Sequence, residues 1–117
     1  MKIDNTKAQM RKGILELCVL SIISRERAYP SDIINKLKEA KLIVVEGTLY
    51  PLLSRLKNAE LLSYEWQEST SGPPRKYYFL TDSGQSFLDE LLSSWEDLKA
   101  AVQLSTSIPE SSNPTSL

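Results

Sequence analysis

Six side chains in two short segments are the strongest candidates for chemistry in this sequence. Four occur between positions 48 and 55, and two are adjacent in a later segment: Thr48, Tyr50, Ser54, Arg55, Arg75 and Lys76. They carry hydroxyl, guanidinium or ammonium groups, which donate hydrogen bonds to phosphate oxygens and to base edges. These residue types predict contact with a polyanion.

The sequence lacks the residues that most enzymes and metal sites need. It contains one cysteine, Cys18, and no histidine, which excludes a zinc finger, a Cys/His nucleophile pair, a Ser/His/Asp triad and an internal disulfide. It also shows neither a glycine-rich phosphate loop nor an evident carboxylate pair. We therefore predict that the protein is not an enzyme and uses no cofactor or metal. Cys18 lies in an apolar stretch and is assigned no role.

Length and composition predict one soluble domain. The chain has 117 residues, of which 41% are hydrophobic and 25% charged, close to the averages of globular proteins. Its longest apolar run, 14–23, is interrupted by Glu16 and Ser21 and is shorter than the roughly 18 to 20 residues of a membrane span. The amino terminus carries no secretion signal. We expect a cytoplasmic protein without membrane contact.

The charge is divided unevenly along the chain. The net charge is −1, yet residues 1–60 hold eleven Lys and Arg against seven Asp and Glu, and residues 61–117 hold three against eight. Such a division suits a protein with one anion-facing surface and a separate acidic element, because the local field decides where a polyanion binds. The alternative is that both sets of charges only solubilise helix faces.

Hydrophobic periodicity predicts three helices in the first half of the chain. The first covers about 6–24, the second opens at Pro30, and the third covers Glu46–Asn58 with Pro51 in its first turn, where a missing N–H costs nothing. Leucines recur at helical spacing in the third helix and must face the core: Leu49, Leu52, Leu53 and Leu56. The four polar candidates of that segment therefore point outward.

A hairpin and a long helix are predicted next. Residues 62–68 alternate as a half-buried strand does, 69–74 contain turn residues, and 76–80 form a second β-rich run. Thr81, Asp82 and Ser83 cap a last helix, whose apolar residues keep three- and four-residue spacings as far as Val102. The Ser-, Thr- and Pro-rich segment 105–117 is predicted to be disordered.

This order of elements predicts a fold that is mainly α with a two-stranded β wing. Three compact helices followed by a hairpin are the layout of a winged helix-turn-helix, in which the third helix enters the DNA major groove and the wing touches the backbone. We expect a DNA-binding domain over 1–80, a C-terminal dimerisation helix over 81–104 and a tail over 105–117. Two alternatives remain: Arg75 and Lys76 only protect an edge strand, and Tyr50 packs against the wing.

Two runs of residues resemble a known family. Gly47-Thr48-Leu49-Tyr50-Pro51-Leu52-Leu53-Ser54-Arg55-Leu56, followed by Pro74-Arg75-Lys76-Tyr77-Tyr78-Phe79-Leu80-Thr81-Asp82-Ser83-Gly84, is similar to the PadR family of bacterial transcriptional regulators, in particular its short subfamily with a single C-terminal helix. The resemblance covers about 10–104. It implies a homodimeric repressor or other regulator of transcription, whose DNA-facing positions correspond here to the six candidate side chains.

The last helix is expected to carry the dimer interface. A stripe at heptad-like spacing needs an apolar partner, and a second copy is the natural candidate: Leu88, Leu91, Trp95, Leu98 and Val102. The resemblance implies that Trp95 can stack a small aromatic ligand at this interface. The alternative is that Trp95 only packs the dimer core.

Two functions therefore remain open. The first, which the resemblance implies, is a homodimeric regulator that occludes a promoter and is released by a small aromatic ligand. The second is a winged-helix protein-interaction module that does not bind specific DNA, which the net charge of −1 would suit. The salt dependence of DNA binding discriminates between them, because affinity falls steeply with salt when phosphates are neutralised.

Overall fold

The computed structural model describes residues 1–107 and contains the predicted elements in the predicted order. They are α1 (Ile3–Arg25), α2 (Pro30–Glu39), α3 (Glu46–Asn58), β1 (Leu62–Ser69), β2 (Gly72–Leu80) and α4 (Asp82–Thr106). The mainly helical fold with a two-stranded antiparallel wing is thereby confirmed. Within residues 1–107, no helix is long and apolar enough to cross a membrane.

Leucines of α3 lie at the centre of the hydrophobic core. Leu49 and Leu53 are fully buried, and Leu52 and Leu56 are at most 4% exposed, as their spacing predicts. They pack with buried residues of α1, α2 and the wing, among them Val19, Ile33 and Tyr78. This burial fixes the rotation of α3 about its axis and so decides which of its side chains face solvent.

Pro51 does not lie where the sequence analysis placed it. α3 begins at Glu46, so Pro51 is its sixth residue and lies inside the helix, beyond the first turn. It therefore has no N–H to donate to the carbonyl of Gly47, four residues earlier. Gly47 is exposed, and water can satisfy that carbonyl; this is why the proline is tolerated there.

Both α2 and α3 end in the same tight C-terminal motif, but neither uses glycine. Lys41 and Glu60 have φ angles of 70° and 64°. The N–H of the next residue reaches back into the helix in each case: Leu42 donates to the Leu37 carbonyl at 2.8 Å, and Leu61 donates to the Leu56 carbonyl at 3.0 Å. These are the hydrogen bonds of a Schellman motif. Glycine would adopt the positive φ of its left-handed residue at a lower steric cost than lysine or glutamate does.

The hairpin differs from its prediction near the tip. The strands are joined at Thr70 and Ser71, so 72–74 belong to β2 and not to the turn. The register pairs Ser69 with Gly72 and Gln67 with Arg75, with an irregularity between them. Pro73 and Pro74 therefore oppose the single residue Glu68. A bulge of this kind breaks the hydrogen-bond ladder, and proline fits there because it has no N–H to offer.

The segment between α1 and α2 adds a third pairing to the wing. Ala28 forms an isolated antiparallel bridge with Tyr78, in which the Ala28 N–H donates to the Tyr78 carbonyl at 3.0 Å and the Tyr78 N–H to the Ala28 carbonyl at 2.8 Å. Since pairing is antiparallel, Arg27 lies opposite Phe79 and Tyr29 lies opposite Tyr77. The wing is thus tied to the helices by backbone bonds.

The end of α3, the wing and the start of α4 meet at a tightly packed junction, called the joint below. Thr81 caps α4 as predicted, its Oγ1 accepting from the Gly84 N–H at 2.9 Å and donating to the Glu60 carbonyl at 2.7 Å. Gly84 is buried against the end of α3, and a Cβ there would overlap the Leu61 carbonyl oxygen. No side chain larger than hydrogen fits at this joint.

The two long helices extend further than predicted. α1 starts at Ile3, where Asp4 lies in the first turn, and a carboxylate there is favoured by the helix dipole. α4 ends at Thr106, so Ser105 and Thr106 are helical, although the sequence analysis placed them in a disordered tail. Ser107 follows as the C-cap residue of α4, and the remainder of the predicted tail, 108–117, lies outside the described residues. Cys18 is half-buried, and burial raises the pKa of its thiol, as suits a packing residue.

Candidate nucleic-acid interface

The exposed side of α3 has two flanks. Positions 50 and 54 are one helical turn apart and share the flank that faces the wing, whereas positions 48 and 55 share the flank that faces α1. All four side chains are exposed: Thr48, Tyr50, Ser54 and Arg55. The polar candidates of α3 therefore point outward as predicted but not all toward the same neighbour.

A cleft of about 360 Å³ lies between α3 and the wing and brings together four of the six predicted residues. Tyr50 and Ser54 line it from α3, and Arg75 and Lys76 line it from β2. The start of α2 closes one end with Pro30 and Ser31. The cleft thus holds two cations, several hydroxyl groups and one carboxylate, that of Glu46. Cations and hydroxyl groups on one open surface are suited to contact with phosphates.

The other two predicted residues lie on the far flank. Thr48 and Arg55 line a smaller cleft of about 260 Å³ between α3 and α1, together with Lys12 and Glu16. A helix that enters a DNA groove meets a sugar-phosphate backbone on each side. The six candidates are therefore divided between the two sides of α3.

Tyr50 is 47% exposed and lies in the cleft with the wing residues. Tyr78, also in the cleft, is 3% exposed; burial raises the pKa of its hydroxyl, and the neighbouring Tyr64 and Tyr50 raise it further. Tyr78 is thus the ring of the Tyr77, Tyr78, Phe79 run that packs in the core. Tyr50 therefore keeps about half of its surface exposed within the cleft.

The two wing cations lie on opposite faces of β2 and each contacts aromatic rings. The Arg75 guanidinium carbon is 3.9 Å from the centre of the Tyr29 ring. The Lys76 Nζ is 4.7 Å from the Tyr64 ring centre and 5.5 Å from that of Trp66. Within residues 1–107, neither cation forms an ion pair with a carboxylate. Their charges remain available to an external anion.

Sequence reasoning did not single out three residues of this surface. Trp66 is 61% exposed and lies directly across the hairpin from Lys76, and the alternation of Tyr64 and Trp66 in β1 could have indicated it. Tyr29 reaches Arg75 only through the Ala28 bridge, which no local pattern shows. Lys12 joins Thr48 and Arg55 because α1 crosses near α3, a non-local contact as well.

The apolar stripe of α4 becomes more exposed along the helix. Leu88 is 2% exposed and belongs to the core, Leu91 and Trp95 are half-buried, and Leu98 and Val102 are 56% and 51% exposed. Leu88 is thus already covered by its own chain.

Among residues 1–107, no three His, Cys, Asp or Glu side chains are grouped so that they could hold a metal ion.

Comparison with known proteins agrees with this geometry. The model of the transcriptional regulator PadR-like family matches residues 19–90, from α1 to the start of α4. A PadR-like transcription factor from Bacteroides fragilis is 67% identical, with 85% of this chain and 96% of that chain covered and a TM-score of 0.73. A PadR family transcriptional regulator from Eggerthella lenta is 36% identical, with 90% and 94% covered and a TM-score of 0.81.

A third solved structure, a PadR-like transcriptional regulator from Bacillus cereus, is 39% identical, with 86% of this chain and 99% of that chain covered and a TM-score of 0.75. The resemblance found in the two sequence runs is confirmed. This chain belongs to the PadR-like family of transcriptional regulators, and it is a DNA-binding regulator and not an enzyme.

Proposed function

We propose that the protein is a homodimeric transcriptional repressor that occludes a promoter and is released by a small aromatic ligand bound at the dimer interface. Residues 1–80 act as the DNA-binding unit and residues 81–104 as the dimerisation helix. The observation that carries the proposal is the cleft between α3 and the wing, where Tyr50, Ser54, Arg75 and Lys76 converge.

DNA contact through this surface follows from the rotation of α3. Its four leucines hold one face in the core, so the opposite face enters the major groove. Thr48 and Arg55 then meet one backbone, and Tyr50 and Ser54 meet the other together with Arg75 and Lys76. Hydroxyl and cationic groups of this kind fix the register of a protein on DNA.

Dimerisation explains the exposed apolar residues of α4. Leu98, Val102 and Leu104 are all more than half exposed, and a run of this length in water is unfavourable unless a second surface covers it. A second copy offers the same stripe, as a two-fold interface requires. In a dimer the two α3 helices would be spaced by about one DNA turn, roughly 34 Å, and reach successive major grooves.

A ligand would act through the same interface. Trp95 is half-buried on α4, between Leu91 and Leu98 in the stripe. A flat compound that prefers one spacing of the two α4 helices changes the spacing of the two α3 helices, and DNA affinity shifts by the same factor as ligand affinity.

Fluorescence anisotropy with DNA from the region upstream of the gene tests the DNA-binding role. We expect preferential binding over an unrelated duplex, with affinity falling as salt rises by a log-log slope of about −0.9 per phosphate contact. Arg55→Ala and Arg75→Ala should each weaken binding. Equal, weak binding to both duplexes, insensitive to either arginine, would refute the proposal and favour a protein-interaction module.

The ligand step needs a separate signal, because the chain has two tryptophans. Trp66→Phe leaves Trp95 as the sole tryptophan, and its operator affinity is measured first. Candidate aromatic compounds that quench Trp95 should then weaken operator binding in proportion. Saturating quenching with unchanged operator affinity would show that Trp95 packs the dimer and does not report a regulatory ligand.

A further inference from the structure

The ring of Tyr29 contacts both Arg75 and Tyr77 of β2. Its centre is 3.9 Å from the Arg75 guanidinium carbon and 4.7 Å from the centre of the Tyr77 ring. We propose that Tyr29 is a positioning residue that holds Arg75 at the edge of the cleft between α3 and the wing, ready to receive a phosphate. This inference rests on the proposed DNA-binding function and names how one of its contacts is prepared.

Tyr29 is itself held in place by the backbone on both sides. The preceding residue, Ala28, makes two hydrogen bonds to Tyr78. The Tyr29 N–H donates to Asp32 Oδ2 at 2.9 Å, at the N-terminus of α2. A ring fixed by a sheet bridge and a helix cap forms a rigid support, unlike one on a mobile loop.

Stacking on Tyr29 restrains Arg75 without consuming its hydrogen-bonding capacity. A cation above an aromatic face is attracted by the ring quadrupole, and guanidinium stacks flat. The N–H groups of a stacked guanidinium lie in its own plane and remain free to donate to a phosphate. Arg75 is exposed, and a free arginine loses considerable rotamer entropy when it binds. Holding it in advance reduces that loss and raises affinity.

A second arginine packs against an aromatic ring on the same face of the hairpin, but its guanidinium is not free to bind a phosphate. The Arg27 guanidinium carbon is 4.4 Å from the centre of the Phe79 ring, but its Nη1 also lies 3.0 Å from Glu65 Oε1. Both arginines therefore pack against an aromatic ring. Arg27 is also paired with the carboxylate of Glu65, whereas Arg75 forms no ion pair within residues 1–107. Phe79 is therefore the natural control for Tyr29.

The test compares operator affinity for Tyr29→Leu, Tyr29→Phe, Phe79→Leu, Arg75→Ala and the Tyr29→Leu/Arg75→Ala double variant, each in the full chain and at a temperature where circular dichroism shows it folded. We expect Arg75→Ala to weaken binding about ten-fold and Tyr29→Leu about three- to five-fold. Tyr29→Phe keeps the ring and should bind as the wild type does. Phe79→Leu should also leave affinity unchanged.

The double variant and the motion of Arg75 separate positioning from a general loss of structure. If Tyr29 acts through Arg75, the double variant binds no more weakly than Arg75→Ala alone. NMR relaxation of the Arg75 Nε–Hε group should show a lower order parameter in Tyr29→Leu than in the wild type and Tyr29→Phe.

Several results would overturn the inference. Additive losses in the double variant, a loss in Tyr29→Phe equal to that in Tyr29→Leu, an unchanged Arg75 order parameter, or an equal loss in Phe79→Leu would each do so. Failure of the wild type to prefer its operator would instead overturn the proposed function, which the Tyr29 variants do not address.

Discussion

The cleft between α3 and the wing and the outer half of α4 are both exposed to solvent. Their surfaces differ in polarity and in how far the rest of the chain supports them. In the cleft, the four candidate side chains are polar or charged, and their supports lie within one chain: buried leucines under α3, a backbone bridge behind the wing and aromatic rings beside its cations. On the outer half of α4, exposed apolar side chains stand among the polar ones, and exposure reaches 81% at Leu104. The cleft therefore suits a polar partner, whereas the outer half of α4 needs an apolar surface to cover it.

Charge follows the same division. α4 carries five acidic residues and one lysine, Lys99, which lies 3.0 Å from Glu96. The cations of α3 and the wing, Arg55, Lys57, Arg75 and Lys76, form no ion pair within residues 1–107. Repulsion between the acidic residues of α4 and DNA phosphates disfavours contact between α4 and DNA. This repulsion helps to orient the protein on the DNA.

Disrupting the joint between the two regions should have the largest effect. Gly84→Ala places a methyl group against the Leu61 carbonyl, which cannot rotate away, and should lower the free energy of unfolding by about 3 kcal/mol. Urea denaturation at fixed protein concentration measures it. Gly13→Ala, inside α1 with open space around it, is the matched control and should raise stability by about 0.5 to 1 kcal/mol. Equal behaviour of the two variants would show that the joint is loose.

A charge on the α4 stripe should next separate assembly from folding. Leu98→Glu places a carboxylate in the proposed dimer interface and should weaken dimerisation about a hundred-fold, or about 2.8 kcal/mol, while the helical circular dichroism is retained. Sedimentation analysis across a concentration series measures the change. Ser93→Glu adds the same charge outside the stripe and should leave the dimer intact; loss of the dimer in both variants would argue against the stripe as the interface.

The two clefts beside α3 should contribute independently to DNA binding. Arg55→Ala and Arg75→Ala alter separate clefts, so each should weaken operator binding about ten-fold, about 1.4 kcal/mol, and the double variant should show the sum. Each substitution should also reduce the salt slope by about 0.9. Lys38→Ala, an exposed cation of α2, is the control. Strong non-additivity would mean that the two flanks do not contact separate backbones.

The smallest effect concerns the end of α3. Glu60→Gly relieves a residue with a φ of 64° and should raise the free energy of unfolding by about 0.5 to 1 kcal/mol. Ala59→Gly, at the adjacent position with a φ of −82°, should lower it by a similar amount. Chemical denaturation compares both with the wild type. A destabilised Glu60→Gly variant would contradict the assignment of this motif.

Local patterns predicted the elements well because helices and hairpins are themselves local. The four leucines of α3 predicted its buried and outward faces, and the Thr81 cap was evident from its sequence context. Pro51 was misplaced because proline marks a helix start only on average, and an exposed carbonyl at Gly47 allows it further inside. The Pro73 and Pro74 pair was read as a turn because a bulge has no local signature.

What the sequence could not predict depends on contacts between distant residues. The six candidate side chains were found by type, but their division between two clefts follows from the way α1 and the wing pack on either side of α3. The ring beneath Arg75 belongs to a segment far away in the sequence, and only the Ala28 bridge brings them together. No pattern of nearby residues contains that information.

The Ala28 bridge also has a consequence for the order in which the protein folds. β1 and β2 are neighbours in sequence and can pair early, whereas Ala28 reaches Tyr78 only after α2 and α3 have packed and a long loop has closed. The third pairing should therefore form last on folding and be lost first on partial unfolding. We expect the Ala28 amide to exchange with solvent through a smaller opening than the amides shared by β1 and β2, and the wing to detach from the helices as an intact hairpin.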